Sequence, residues 1–563
     1  MGPNEGWDEK GVQRTPEDGK FDIGTWVHRN LTEKNITILI IGLFLIMSIL
    51  IAMVPYDPQT DLPDAVTNDI WVEYYSQGKF IIPYDEWSYG ITQSVVVWHD
   101  DQFQVINEKG PGHALLMVPF YLLSADFLFG PLMAGIAVLA TYMLGKRLFN
   151  WRVGAMAAVM VLTDVSVVMM WYRSYWNDAS TMSLLVLSIW LAVEANYWIN
   201  GKSLDTKEVR KATLRQKLTA IMVGMLAGLS FGMSVSTRYA TALILIPIAL
   251  YFVGFYLIRV WPSLRAHKIS AAIRSTFRMW PIILVFMIGL LCILLPLMSY
   301  NSEYFGGPLS SGYDATTLEE FSELGNLTER TTSSDWDAGS FSGLGTAASN
   351  FIILLPVLIA RMPFLLLFPF GLWMVRKKYP IMALLAGWTL VNFYTYLSIS
   401  WVSIYAGGML SGVLYEPRYF IPSIPALALM AGIAIDGFMC RRVQRTEENV
   451  HSTPGVDPDR LVLSAIFIVA IILCSLVPAA IFFAESQSVI NGGPSPDQRP
   501  MPDGLPTDGD VGPVGDPTDL TGGPMGDDRT MQISSTEGMN EVQYLPETQS
   551  AIIETKFAIF RYD

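Results

Sequence analysis

Charge is scarce in this chain: 16% of its 563 residues are Asp, Glu, Lys or Arg, against 51% hydrophobic. That balance excludes an ordinary soluble protein of this length. Cysteine is nearly absent. Cys292, Cys440 and Cys474 all fall within or at the end of apolar runs, so there is no disulfide framework and no zinc spacing. Nucleotide-binding signatures are missing too. The chain has no G-x-x-x-x-G-K-[ST], no G-x-G-x-x-G, no H-E-x-x-H and no C-x-x-C, and no cytoplasmic domain large enough for a nucleotide. ATP hydrolysis and a soluble nucleotide donor are therefore not expected. The basic loops are short and explained by topology, so nucleic acid is not an expected partner.

What the chain has instead is apolar runs long enough to cross a bilayer. They fall near 36–55, 128–146, 153–171, 179–199, 218–236, 240–260, 280–299, 351–375, 381–400, 420–439 and 461–483, which makes about eleven spans. The first has no small-residue cleavage site after it and reads as a retained anchor. Lys146 and Arg147, the Lys202–Lys217 and Arg265–Arg278 segments, Arg376 to Lys378, and Arg441 with Arg442 fall on one side, which the positive-inside rule assigns to the cytoplasm. The other side is acidic. Residues 56–112 hold ten acids against two Lys, and residues 300–350 hold eight against Arg330 alone. The expectation is a multi-pass cell-membrane protein with residues 1–35 cytoplasmic, a membrane domain over 36–483 and an external tail over 484–563. Asn326 is the one sequon on the external side, and a chance match explains it equally well.

The tail carries fourteen acids against four Lys or Arg from residue 485 onward and is rich in Pro, Gly and Asp. It reads as a disordered, solvated linker. Only the closing stretch "SAIIETKFAIFRYD" alternates enough to suggest a short strand. The long first external loop, 56–112, carries ten aromatics, and "NDIWVEYYSQGKF" within it reads as an amphipathic helix ending at Gly78. A belt of aromatics at the interface would look the same.

Ionisable groups at a membrane edge are costly and mark candidate sites. Here they gather on the external side: Asp57, Asp61, Asp64 and Asp69 after the first span, Lys109 and His113 before the second, Arg173 and Asp178 between the third and fourth, Arg238 between the fifth and sixth, and Glu416 and Arg418 before the tenth. Each also has an ordinary reading. An Arg at a helix end snorkels to headgroups, Asp178 stands where it would cap a helix, and loop aspartates are mostly solvated. Cations from several chain positions on one leaflet, beside an acidic loop, suit a reaction between an anionic lipid headgroup and an acceptor that loses a proton. Arg361 lies apart, near the middle of the eighth span.

Over residues 36–440 the chain resembles GT-C glycosyltransferases that use polyprenyl-phosphate sugars, the protein O-mannosyltransferase and aminoarabinose transferase type. The segments run in family order: "DAVTNDIWVEYYSQGKF", "KGPGHALLMVPFYLL", "LGKRLFNWRVGAMAAVMVL", "WYRSYWNDASTMSLLVLSIWLAV", "GLSFGMSVSTRYATALILIP", "YNSEYFGGPLSSGY" and "YEPRYFIPSIPAL". Each is short and degenerate; the order carries the likeness. The family's first loop commonly begins Asp-Glu, whereas here Ala65 follows Asp64. The resemblance implies an all-α polytopic GT-C fold and an inverting displacement at the external face.

An acceptor hydroxyl would attack a sugar carried on polyprenyl (dolichyl) phosphate. By the same resemblance Asp64, with Asp69 second, takes the proton. Arg238 and Arg418, then Lys109 and Arg173, bind the leaving phosphate. Asp178 and Glu416 steady the cations, with His113 and Tyr419 in support. No cofactor and no divalent metal is expected. The acceptor is a protein, lipid or glycan, and membrane lipid surrounds the enzyme. Two competing classes remain: a flippase or transporter of lipid-linked sugar, which Arg361 suits, and a surface-polysaccharide ligase.

Overall fold

The computed structural model describes residues 32–52, 63–83, 94–99, 102–164, 166–168, 176–200, 213–267, 269–312, 344–398 and 416–440, and strand residues 530–531, 539–545, 550–555 and 559–562. The described body is mostly helical. Eight helices are long and apolar enough to cross a membrane: Glu33–Leu50, Asp126–Leu148, Asn177–Ile199, Leu214–Thr237, Tyr239–Ile258, Trp280–Phe305, Tyr379–Leu397 and Arg418–Phe438. The chain is a multi-pass membrane protein. Its lipid-compatible surface is what such a protein needs: Ile38, Leu39, Ile246, Leu284 and Ile352 are among many large apolar side chains left exposed.

The other three expected spans differ in how they stand. The span at 461–483 lies outside the described residues. The one at 153–171 appears as a shorter apolar helix, Trp151–Thr163. The span at 351–375 is broken into Ala347–Ile359 and Pro363–Val375, bent by 115°. Proline explains the position of the break: Pro363 has no N–H to donate, and its ring disfavours helical backbone at Met362. Arg361, expected near mid-span, thus stands at a break.

We number the helices α1 (Glu33–Ala52), α2 (Pro63–Ser76), α3 (Gly112–Leu122), α4 (Phe129–Leu148), α5 (Trp151–Thr163), α6 (Asn177–Asn200) and α7 (Leu214–Thr237). After them come α8 (Leu245–Arg265), α9 (Ile269–Phe305), α10 (Leu344–Arg361), α11 (Phe368–Val375), α12 (Tyr379–Leu397) and α13 (Ile424–Cys440). Short 3-10 turns at Tyr239–Ile244 and Glu416–Ser423 lead into α8 and α13. Local signals set the ends. Asn150 caps α5, its side chain accepting from the Val153 N–H at 3.0 Å. Thr213 and Gln216 form a reciprocal box at the start of α7. The amphipathic helix α2 stops as expected at Gly78, which takes φ +73°.

Two small sheets accompany the helices. The first loop also folds a three-stranded antiparallel sheet, β1 (Ile82–Pro83), β2 (Ser94–His99) and β3 (Gln102–Asn107), in the order β1-β3-β2. The Val-rich run "SVVVWH" is a β-branched strand former, and it turns directly into β3 with Val96 opposite Val105. The tail, expected to be disordered, forms four antiparallel strands between Thr530 and Tyr562 in sequential order. "SAIIET" and "IFRY" pair within it, Ile553 opposite Phe560, so the alternation noted in that stretch was a strand signal.

Helices α6 and α7 form the central hairpin, and small polar residues let them approach. The Thr181 and Thr237 hydroxyls are 2.8 Å apart, Ser234 Oγ donates to the Thr181 carbonyl at 3.0 Å, and Ser188 Oγ donates to the Ala227 carbonyl at 2.8 Å. Interhelical hydroxyl bonds of this kind hold apolar helices together where no hydrophobic drive exists.

Candidate functional site

The α6–α7 hairpin ends where two helix termini meet. Asp178 lies in the first turn of α6, and Arg238 follows the last residue of α7. The peptide dipoles favour a carboxylate at the first position and a cation at the second. The two side chains form an ion pair, Arg238 Nη2 to Asp178 Oδ1 at 2.8 Å, with side-chain exposures of 10% and 2%. The contact is ionic, its angle falling short of a hydrogen bond. Arg238 also donates to Asn177 Oδ1 at 3.4 Å and to Tyr396 Oη at 3.3 Å. Its buried Nε has no hydrogen-bond partner among the described residues, which leaves one guanidinium donor for a further acceptor.

A second arginine joins the first across an aromatic ring. The guanidinium carbons of Arg238 and Arg418 each lie 4.9 Å from the Tyr419 ring centroid. Arg418 Nη2 also donates to Tyr419 Oη at 2.8 Å. Tyr396 stacks obliquely on Tyr419, with centroids 5.2 Å apart, and Asn392 Nδ2 donates to the Tyr419 carbonyl at 3.2 Å. These contacts fix the turn before α13 to the end of α12. Aromatic faces hold the guanidinium groups without neutralising them. Two guanidinium groups thus meet at one ring.

The charged, glycine-broken "KGPGH" stretch sits on the same end. Asn107, the last residue of β3, accepts the Lys109 N–H at 2.9 Å. The chain then presses against the last turn of α7: a Cβ at Gly110 would come within 2.1 Å of the Ser236 carbonyl oxygen, and one at Gly112 within 2.6 Å of Ser236 Oγ. His113 is buried, its Nδ1 2.8 Å from Ser180 Oγ and its ring edge-on to Phe129. The glycines are thus a seat that lets the first loop dock beside Arg238. Gly110→Ala is expected to force that docking apart and cost about 1–3 kcal/mol, the usual penalty for overpacking. Thermal unfolding of the detergent-solubilised protein reads this, and an unchanged midpoint shows that the seat is not tight.

A phenol cluster flanks the seat. Tyr239, next to Arg238, donates to Asn301 Oδ1 at 3.0 Å. Tyr75 of α2 lies close to Tyr300 and Asn107, and burial pushes its phenol above the ordinary range, so it stays protonated.

Of the residues singled out in the sequence, His113, Asp178, Arg238, Arg418 and Tyr419 come together, and Lys109 directly precedes Gly110 at the entry to α3. Asp69 interacts electrostatically with Tyr121 at the far end of α3, alongside Glu73 and Asp126. Arg173 lies outside the described residues, and so do the side chains of Asp64 and Glu416, although Asp64 belongs to the first turn of α2 and Glu416 opens the turn before α13. Sequence reading missed Asn177 and Tyr396. Asn177 stood in plain view within "WNDAS", whereas Tyr396 sits in a long apolar run that offers no signal. Arg361 is fully buried and interacts electrostatically with Asp164, itself buried, whose Oδ1 accepts the Ser166 N–H at 2.9 Å.

No family model matches this chain, and no curated protein matches it. Solved structures resemble it at low identity. The archaeal oligosaccharyltransferase AglB from Archaeoglobus fulgidus, in complex with an inhibitory peptide and a dolichol-phosphate, is 12% identical over 79% of this chain, with a TM-score of 0.45. ArnT from Cupriavidus metallidurans, bound to undecaprenyl phosphate, is 13% identical over 84% of this chain, with a TM-score of 0.44. The chain spans 56% of the length of the first and 73% of the second.

Proposed function

We propose that this chain is an integral-membrane glycosyltransferase that moves a sugar, hexosyl or pentosyl, from a polyprenyl (dolichyl) phosphate carrier to an acceptor hydroxyl at the external face. The observation that carries the reading is the pair of arginines sharing the Tyr419 ring. These are the two cations that the sequence resemblance assigns to the leaving phosphate.

The chemistry is a single inverting displacement. The acceptor oxygen forms its bond to the anomeric carbon as the bond from that carbon to the phosphate oxygen breaks. The electron pair leaves with the lipid phosphate, whose charge grows, and fixed guanidinium groups stabilise it. The acceptor's proton goes to a carboxylate, assigned to Asp64. Asp178 and Tyr396 orient Arg238, while Tyr419 and its own aromatic neighbour hold Arg418. A protein, lipid or glycan can supply the hydroxyl.

A second reading, a flippase of lipid-linked sugar, draws on the broken span and the buried Arg361–Asp164 pair, since interrupted helices with internal charges are a transporter habit. One assay separates the two. Sealed vesicles containing the protein are given a labelled polyprenyl-phosphate sugar and an acceptor extract. Label moving to acceptor, with Arg418→Gln slowing it on the order of 100-fold, supports the transferase. Label crossing the bilayer with no transfer rejects it in favour of the flippase.

A further inference from the structure

The opposite end of the bundle holds a cavity that the proposed reaction does not use. It lies about 24 Å from the Arg238 site, the rise of α6 between Asp178 and Glu194, which pairs with Arg147 near the cavity. Its volume is about 570 Å³, and three separate parts of the chain line it: the α4–α5 turn at Phe149 and Asn150, the α11–α12 turn from Trp373 to Lys378, and the last turns of α13 at Asp436.

Its charge is one-sided. Arg376, Lys377 and Lys378 line it in succession and are exposed. The one carboxylate, Asp436, is already engaged, accepting from Arg152 Nε at 2.9 Å and from Asn150 Nδ2 at 2.9 Å. The starts of α5 and α12 meet the ends of α4, α11 and α13 here, so the helix dipoles offset one another and the field comes from the side chains. Aromatic groups keep the cations in place: Arg376 stacks 4.1 Å from Trp373, and Lys378 lies 5.4 Å from the Phe149 ring.

The surroundings choose the kind of anion. Trp373 lines the cavity, and Phe370, Tyr379 and Phe438 lie within a few residues of its lining on α11, α12 and α13, all four between 44% and 66% exposed. Large aromatics left bare at the end of membrane helices sit at the headgroup level of a bilayer. A basic pocket close in sequence to such a belt suits a lipid headgroup. We propose that this cavity binds the phosphate-bearing headgroup of an anionic membrane lipid, held by Arg376, Lys377 and Lys378 with its acyl chains lying along the Phe370–Phe438 surface.

The full chain in detergent is titrated with phosphatidylglycerol, with phosphatidylcholine and with inorganic phosphate, and bound lipid is counted by native mass spectrometry. Wild type is expected to retain phosphatidylglycerol in preference to phosphatidylcholine and to ignore inorganic phosphate. The triple variant Arg376→Gln, Lys377→Gln, Lys378→Gln should lose affinity roughly tenfold or more, while Lys217→Gln with Arg265→Gln, exposed cations outside the cavity, should not. If the triple variant does not fold, Lys377→Gln alone replaces it, with a loss of roughly fivefold expected. Equal retention of the two lipids, or cavity variants that bind as wild type does, overturns the proposal. Displacement of the lipid by inorganic phosphate would make this a site for a soluble anion and overturns it equally.

Discussion

Arg238→Gln is expected to stop sugar transfer and to loosen the fold, whereas Arg238→Gln combined with Asp178→Asn is expected to restore the fold without restoring transfer. The reason lies in the burial of the pair, at 10% and 2% exposure. Removing one partner leaves an uncompensated buried charge, which costs about 3–5 kcal/mol, while replacing both with neutral groups of similar shape is close to neutral. Transfer responds differently. A guanidinium aimed at the leaving phosphate is needed whatever the state of Asp178, and losing one such donor costs about 10²–10³ in turnover. Thermal unfolding and transfer rate, measured on both variants, separate the two roles. Recovery of transfer in the double variant would show that Arg238 is only a structural ion pair.

The second large effect concerns the carboxylates of the first loop. Asp64→Asn is expected to lower turnover by about 10²–10⁴, the range for removing a general base, with the protein still folded and inserted. Asp69→Asn is expected to leave turnover within about threefold, since a solvent-side substitution away from a site is usually within about 0.5 kcal/mol. Asp69 acts electrostatically on Tyr121, together with Glu73 and Asp126, at the end of α3 opposite His113. Measuring kcat at saturating donor for both variants decides between them. Loss confined to Asp69→Asn would reverse the assignment, and full activity in both would remove this loop's aspartates from proton transfer.

Much of the architecture was legible because hydropathy reports membrane spans directly. Eight of the expected runs recur as long apolar helices, and α2 ends at the glycine that the sequence marked. The meeting of Asp178 with Arg238 was foreseeable from leaflet and helix position, since both flank spans on one side. What the sequence concealed was geometry across the chain. Nothing in "NFYTYLSIS" distinguishes Tyr396 from its aromatic neighbours, and its partner Arg238 is 158 positions away. The break after Arg361 hides in an apolar run whose composition suits an unbroken helix equally well. The sheet beside α2 was obscured by an aromatic-rich loop that read as interfacial. Two glycines looked like helix breakers, yet their neighbours show that their smallness against Ser236 matters as much.

The contact between Asp164 and Arg361 bears on how the protein is made. Asp164 leaves the ribosome with α5, and the residue that answers its charge is synthesised about two hundred positions later, once α10 is complete. Until then the carboxyl group has no cationic neighbour from that helix, and the early segments must wait for the later half to arrive. Assembly of the early helices is therefore tied to a segment made much later: a chain truncated before α10 carries an acid whose cationic neighbour is missing.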